Sequence, residues 1–135
     1  MPDADAALAQ WLKTAPNDLK VRAYYAGSLL NRKAYKPAIE QYEFIAQHAP
    51  SSPLILNNLA TAYNEVGDPR TVATAEQAYK LAPSNPALQD TLGWILFKHG
   101  QTARAKELLG QAAQALPNDA SVRAHHAAAF GTGQK

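Results

Sequence analysis

The chain has 135 residues, 47% of them hydrophobic, with 13 basic and 11 acidic side chains for a net charge of +2. That size and balance suit one soluble domain and exclude the dense basic stripe of a nucleic-acid binder. With no cysteine there is no disulfide and no thiolate metal site, and no apolar run approaches the roughly 18 residues of a membrane-inserted helix.

In chain order, residues 3–15 carry Leu8, Trp11 and Leu12 at helical spacing, which predicts a helix with all three, Trp11 included, on its packing side. Pro16 closes that stretch, and Pro50, Pro83 and Pro117 follow at steps of 34, 33 and 34 residues. A fixed period in this range means one supersecondary unit copied along the chain. Just after each proline stands a short polar residue, Asp18, Ser52, Asn85 and Asp119, whose oxygen suits the free N–H groups of a starting helix. Pro53 and Pro86 then occupy the first helical position, where a missing N–H costs nothing.

The first copy, residues 18–50, predicts helices over 18–32 and 36–48, with Tyr25, Ala26 and Leu29 on one stripe and Ala38, Tyr42 and Ile45 on the other. The second, residues 52–83, predicts helices over 53–66 and 69–82, carrying Leu59, Ala60 and Tyr63, then Ala75 and Ala78. Its 33-residue step places a one-residue deletion near Thr71. The third, residues 85–117, predicts helices over 86–99 and 102–115, with Leu88, Leu92, Ile95 and Leu96, then Ala105, Leu108, Leu109 and Ala112. Gly93 and Ala105 are small enough to let the paired backbones approach closely. Gly67 and Gly100 suit left-handed turns between paired helices, whereas Lys33 in the matching place should cost about 1 kcal/mol. A last helix over 119–130 is followed by Gly131-Thr132-Gly133, so residues 131–135 are expected to form a disordered tail.

Helix 3–15 reads as a second helix without its first, and helix 119–130 as a first helix without its second. The chain is therefore expected to be a window from a longer repeat protein. Open apolar faces near Leu8–Leu12 and Ala124–Phe130 predict homo-oligomers through uncapped ends.

These residues resemble the tetratricopeptide repeat (TPR) family. Leu92-Gly93, Leu96, Ala105, Leu109, Ala112 and Pro117 follow the family pattern, as do Leu59-Ala60, Tyr63, Ala78 and Pro83, and Tyr25-Ala26, Leu29, Ala38, Tyr42 and Pro50. The resemblance implies an all-α, right-handed superhelical solenoid of about eight antiparallel helices, and a protein-protein interaction scaffold that takes a partner's peptide or helix in its concave groove. Carried onto this chain, it implies partner-binding residues Asn57, Asn58, Thr61 and Asn64 on one first helix and Asp90, Trp94, Phe97 and Lys98 on the next. Lys20, Ala23, Tyr24, Gly27 and Asn31 would open the row, with His125 and Ala128 continuing it. For Trp94, packing between repeats stays open beside groove exposure. A structural spacer with an empty groove is the alternative function.

Heat-shock co-chaperones of this family clamp a C-terminal carboxylate with Lys and Asn side chains and one Arg. The matching places here are Ala23, Gly27, Asn58, Ala87 and Thr91, so only Asn58 survives and the clamp is absent. The wording Asp90-Thr91-Leu92-Gly93-Trp94 is also similar to bacterial TPR lipoproteins of the exosortase (PEP-CTERM) system. That would imply a parent protein in the cell envelope or periplasm, involved in protein sorting or exopolysaccharide assembly; without it the expected compartment is the cytoplasm.

Catalysis finds no support. His125 and His126 are adjacent and point about 100° apart on a helix, so they do not face one metal together. His48 and His99 sit singly in last helical turns, and no carboxylates cluster on one face. The expectation is a non-enzyme with no cofactor and no metal, whose partner is a protein or peptide rather than nucleic acid.

Overall fold

A computed structural model of the chain describes residues 2–49 and 52–131, so Pro50, Ser51 and the expected disordered tail beyond Gly131 lie outside the described residues. Eight helices occur among them, and no strand: α1 Pro2–Thr14, α2 Leu19–Asn31, α3 Tyr35–His48, α4 Pro53–Val66, α5 Thr71–Leu81, α6 Pro86–Lys98, α7 Thr102–Ala115 and α8 Ala120–Phe130. None is long and apolar enough to cross a membrane.

Local chemistry sets the boundaries. Asp18, Ser52, Asn85 and Asp119 each accept from a backbone N–H two or three residues further on, in the first turn, at 3.1, 3.4, 2.9 and 3.0 Å. Gly67 and Gly100 close their turns at φ of 72° and 86°. Lys33 does the same at φ 64°, the one non-glycine in this region among the described residues, at a cost of about 1 kcal/mol. Helix α5 starts at Thr71, two residues later than the sequence predicts. Asp68 accounts for this, because its carboxylate takes the Arg70 amide at 2.8 Å and its carbonyl takes the Thr71 hydroxyl at 2.6 Å, which keeps Pro69 and Arg70 in the turn.

Helices pair as α2 on α3, α4 on α5 and α6 on α7, and the stack winds as a right-handed solenoid. First helices also meet one another directly, α4 against α6 and α6 against α8. The core is a chain of clusters rather than one centre. Ala26, Leu29, Ala38, Tyr42 and Ile45 fill the first hairpin and continue into Leu59 and Tyr63 of the second. Ala60 and Ala75 of the second hairpin join Leu92, Ile95, Leu96, Ala105 and Leu108 of the third. On the outer side, Arg70 reaches Glu43 at 3.2 Å, and Arg104 pairs with Glu76 across α5 and α7. Such exposed pairs add little to stability, because water and salt screen them.

Trp11 departs from the expectation that it packs. It is 52% exposed, while its neighbour Leu12 takes the buried place against α2. One residue of helix rotates a side chain by about 100°, and Trp11 is left to donate its indole N–H to Asp18 at 2.9 Å. That bond, with the Val21 amide, holds the Asp18 carboxyl below its ordinary 3.8.

Gly93 lies where α6 and α7 approach closely. A Cβ there would lie 2.8 Å from Leu109 Cγ and 3.2 Å from Leu108 Cβ, both buried. Gly110, in contrast, has nothing within 4 Å of the same point. Alanine normally favours a helix interior by about 1 kcal/mol over glycine, whereas overpacking costs about 1–3 kcal/mol. Gly93→Ala should therefore destabilise the protein by about 1 kcal/mol in urea unfolding, and Gly110→Ala should stabilise it. Equal stabilisation by both substitutions would show that the α6–α7 contact has slack.

Candidate functional site

First helices α2, α4, α6 and α8 share one side of the solenoid, and two hollows open between their side chains. The central one, about 270 Å³, is lined by Thr61, Asn64 and Glu65 of α4, by Asp90, Thr91, Trp94 and Ile95 of α6, and by Ser121 and His125 of α8. The other, about 750 Å³ and open to solvent, is formed by α2 alone, from Lys20 and Ala23 to Asn31 and Arg32.

Of the eight side chains expected on this face, Thr61, Asn64, Asp90 and Trp94 come together in the central hollow. The other four stand outside it. Asn57 is half-buried, and its carbonyl accepts from the Thr61 hydroxyl at 3.0 Å. Asn58 turns to the core, where it hydrogen-bonds the Tyr42 hydroxyl; burial holds that phenol above its ordinary value and the bond opposes the shift. Phe97 packs on the central core cluster and stacks on Trp94 at 5.6 Å. Lys98 is exposed, with its Nζ 5.3 Å from the centre of the Trp94 ring, within cation–π range.

Trp94 meets both readings that the sequence left open. It is half-buried, and one ring face is covered by His125 at 4.2 Å and 14° from parallel. It nonetheless lines the hollow. His125 is held in turn by Asp90, whose carboxylate oxygens lie 2.9 and 3.0 Å from its Nδ1. Asp90 is buried, so this pairing satisfies a carboxylate that would otherwise be costly to enclose. In the sequence Asp90 and His125 fall in one row of first-helix positions with nothing that pairs them. Their separation of one period plus one residue was the available signal, since such positions face each other on adjacent first helices.

Among the described residues no group of three or more His, Cys, Asp or Glu side chains is placed to hold a metal. What the site offers is an aromatic ring with one supported face, amide and hydroxyl hydrogen-bonding groups, and charges of both signs at its rim.

Stacked helical hairpins with their first helices aligned along one face define a helical repeat protein. Residues 69–129 match the family model of the tetratricopeptide repeat. The chain is 33% identical over 125 residues to a TPR repeat-containing protein of Pseudomonas aeruginosa, a match covering 88% of the chain and 20% of that protein, so it spans about one fifth of this relative's length. The Sgt2 TPR domain from Aspergillus fumigatus has the same fold at a TM-score of 0.76 and 23% identity, over 86% of this chain and 79% of that one. So does the first TPR of Spaghetti (RPAP3) bound to the HSP90 peptide SRMEEVD, at 0.75 and 17% identity, over 87% and 94%. Residues 69–129 are thus tetratricopeptide repeats, and the chain as a whole has the fold of that family's solenoids.

His125→Ala would strand a buried carboxylate and uncover one face of Trp94. It should cost about 1–3 kcal/mol of stability, and adding Asp90→Ala should recover part of that loss in a double-mutant cycle followed by thermal unfolding. Strictly additive losses would mean that the two side chains do not interact.

Proposed function

We propose that this segment is a protein-interaction module that holds an internal peptide or helix of a partner protein along α4, α6 and α8, with Trp94 as the anchor. The observation that carries this reading is the central hollow itself. There an indole braced by His125 lies beside Asn64 and Thr61, groups able to meet the N–H and C=O of a peptide backbone. A ring already fixed by its neighbours loses little side-chain freedom when a partner's apolar side chain packs on its free edge.

The partner segment is internal because the face lacks cations where a carboxylate would sit. Ala23, Gly27, Ala87 and Thr91 carry no charge, and Asn58 is already engaged by Tyr42. The peptide in the Spaghetti complex ends in Glu-Glu-Val-Asp, and a tail of that type has no counter-charge here. Glu65, exposed at the rim, favours a basic residue in the partner instead. The exosortase-system resemblance rests on the Leu-Gly-Trp wording, and the groove reading does not depend on it.

Peptides selected from a random displayed library and titrated by calorimetry test this reading. Trp94→Ala should weaken binding about thirtyfold, or about 2 kcal/mol, with the circular dichroism unchanged. Asn64→Ala should weaken it about fivefold. A folded Trp94→Ala protein that binds the selected peptides with unchanged affinity would refute the groove as described.

A further inference from the structure

The central hollow has a polarity that its outline does not show. Thr61 and Thr91 line it, and each hydroxyl donates to a carbonyl one turn back on its own helix, that of Asn57 or Ala87, both at 3.0 Å. A hydroxyl carries one proton, so with that proton committed each oxygen can only accept from anything else. Glu65 and Asp90 add two carboxylates, which accept and do not donate while ionised. No Lys or Arg stands among the described residues of the lining. The walls formed by α4 and α6 are therefore rich in acceptors and negative in charge.

Glu65 is held in place by a residue outside the hollow. The hydroxyl of Tyr35, at the start of α3, donates to its carboxylate. That bond orients the group and leaves most of its lone pairs for a guest. The carboxylate is also peculiar to α4, since the matching positions on α2 and α6 are Asn31 and Lys98. Asp90 is buried and already faces His125 Nδ1, so it supplies charge rather than a contact. Lys98 is exposed and outside the lining, where water and salt screen its repulsion of a cationic guest.

We infer that the partner side chain filling this hollow is an arginine. The inference rests on the groove reading above and adds which residue the groove selects. A guanidinium carries five N–H donors, no acceptor and a permanent charge, which is the complement of walls that only accept. Its fork serves several acceptors at once, here Glu65 and the Thr61 and Thr91 oxygens, whereas an ammonium offers three donors from a single point. Glu65 makes the charge-assisted contact, the strongest of the set. The aliphatic stem of the same side chain lies against Trp94, whose ring is braced by His125. An acidic guest would meet two carboxylates instead.

Peptides selected from a random displayed library and titrated against the whole chain test this separately from the groove itself. The selected peptides should share one arginine. Replacing it with citrulline, which keeps the shape and removes the charge, should weaken binding about thirtyfold, and replacing it with lysine about fivefold. Glu65→Gln changes an exposed residue, so the circular dichroism should not change. It should weaken the arginine peptide about tenfold and leave the citrulline peptide unaffected. Tyr35→Phe, which releases the Glu65 carboxylate, should weaken the arginine peptide about threefold. Peptides that depend on Trp94 yet share no arginine, or that bind equally well with citrulline or lysine in its place, would overturn this inference and leave the groove reading standing. Unchanged affinity of Glu65→Gln for the arginine peptide would do the same. Failure to select any peptide, or peptides indifferent to Trp94→Ala, would remove both.

Discussion

The structure depends on one steric allowance repeated along the chain: a small residue on each first helix where the second helix crosses it. Ala26, Ala60 and Gly93 occupy that place, and all three are buried. The second-helix residues that cluster with them vary in bulk, Tyr42 with Ala26, Ala75 with Ala60 and Leu109 beside Gly93. At the third hairpin the allowance reaches its limit, because even a methyl group on Gly93 would intrude on Leu109. Close packing at this point lets a thin, alanine-rich core run along the solenoid, since dispersion contacts fall off steeply with any gap.

From that spacing the functional face follows. When each second helix lies tight against its first, the first helices line up on one side and their outward side chains form a continuous strip. On that strip the chain departs from uniformity at α6 and α8. Asp90 and His125 tie the two helices together, and the tie fixes a tryptophan ring at the edge of a polar hollow. A buried carboxylate and a stacked imidazole are an expensive way to join two helices that apolar side chains would join as well. That expense is understandable if the ring has to be held at one angle for a partner.

Much of the fold was legible because its determinants are local. The proline period, the four capping oxygens and the turn glycines each act within a few residues, and each caps or turns the chain where its chemistry requires. Lys33 was legible as a misfit for the same reason. The later start of α5 was not, because it depends on the Asp68 carboxylate competing for the Arg70 amide. Trp11 was misread because a stripe of Leu8, Trp11 and Leu12 does not say which edge faces α2; one step of helical rotation separated the buried residue from the exposed one. At the site, the row of first-helix residues could be written down from the period alone. Which of them converge could not, since the Asp90–His125 pair and the Tyr42–Asn58 bond depend on distances between helices 16 to 35 residues apart in sequence.

A solenoid held by nearest-neighbour contacts has no single core, so its stability should grade along its length. Amide hydrogen exchange measured residue by residue tests this most directly. Protection should be greatest in α6 and α7, where Gly93 admits a close approach, and should fall through the other hairpins toward α1 and, on the other side, in α8. Uniform protection across all eight helices would contradict the account, because it would mean that the chain opens as one globular unit and that its stability does not reside in the repeated helix crossing.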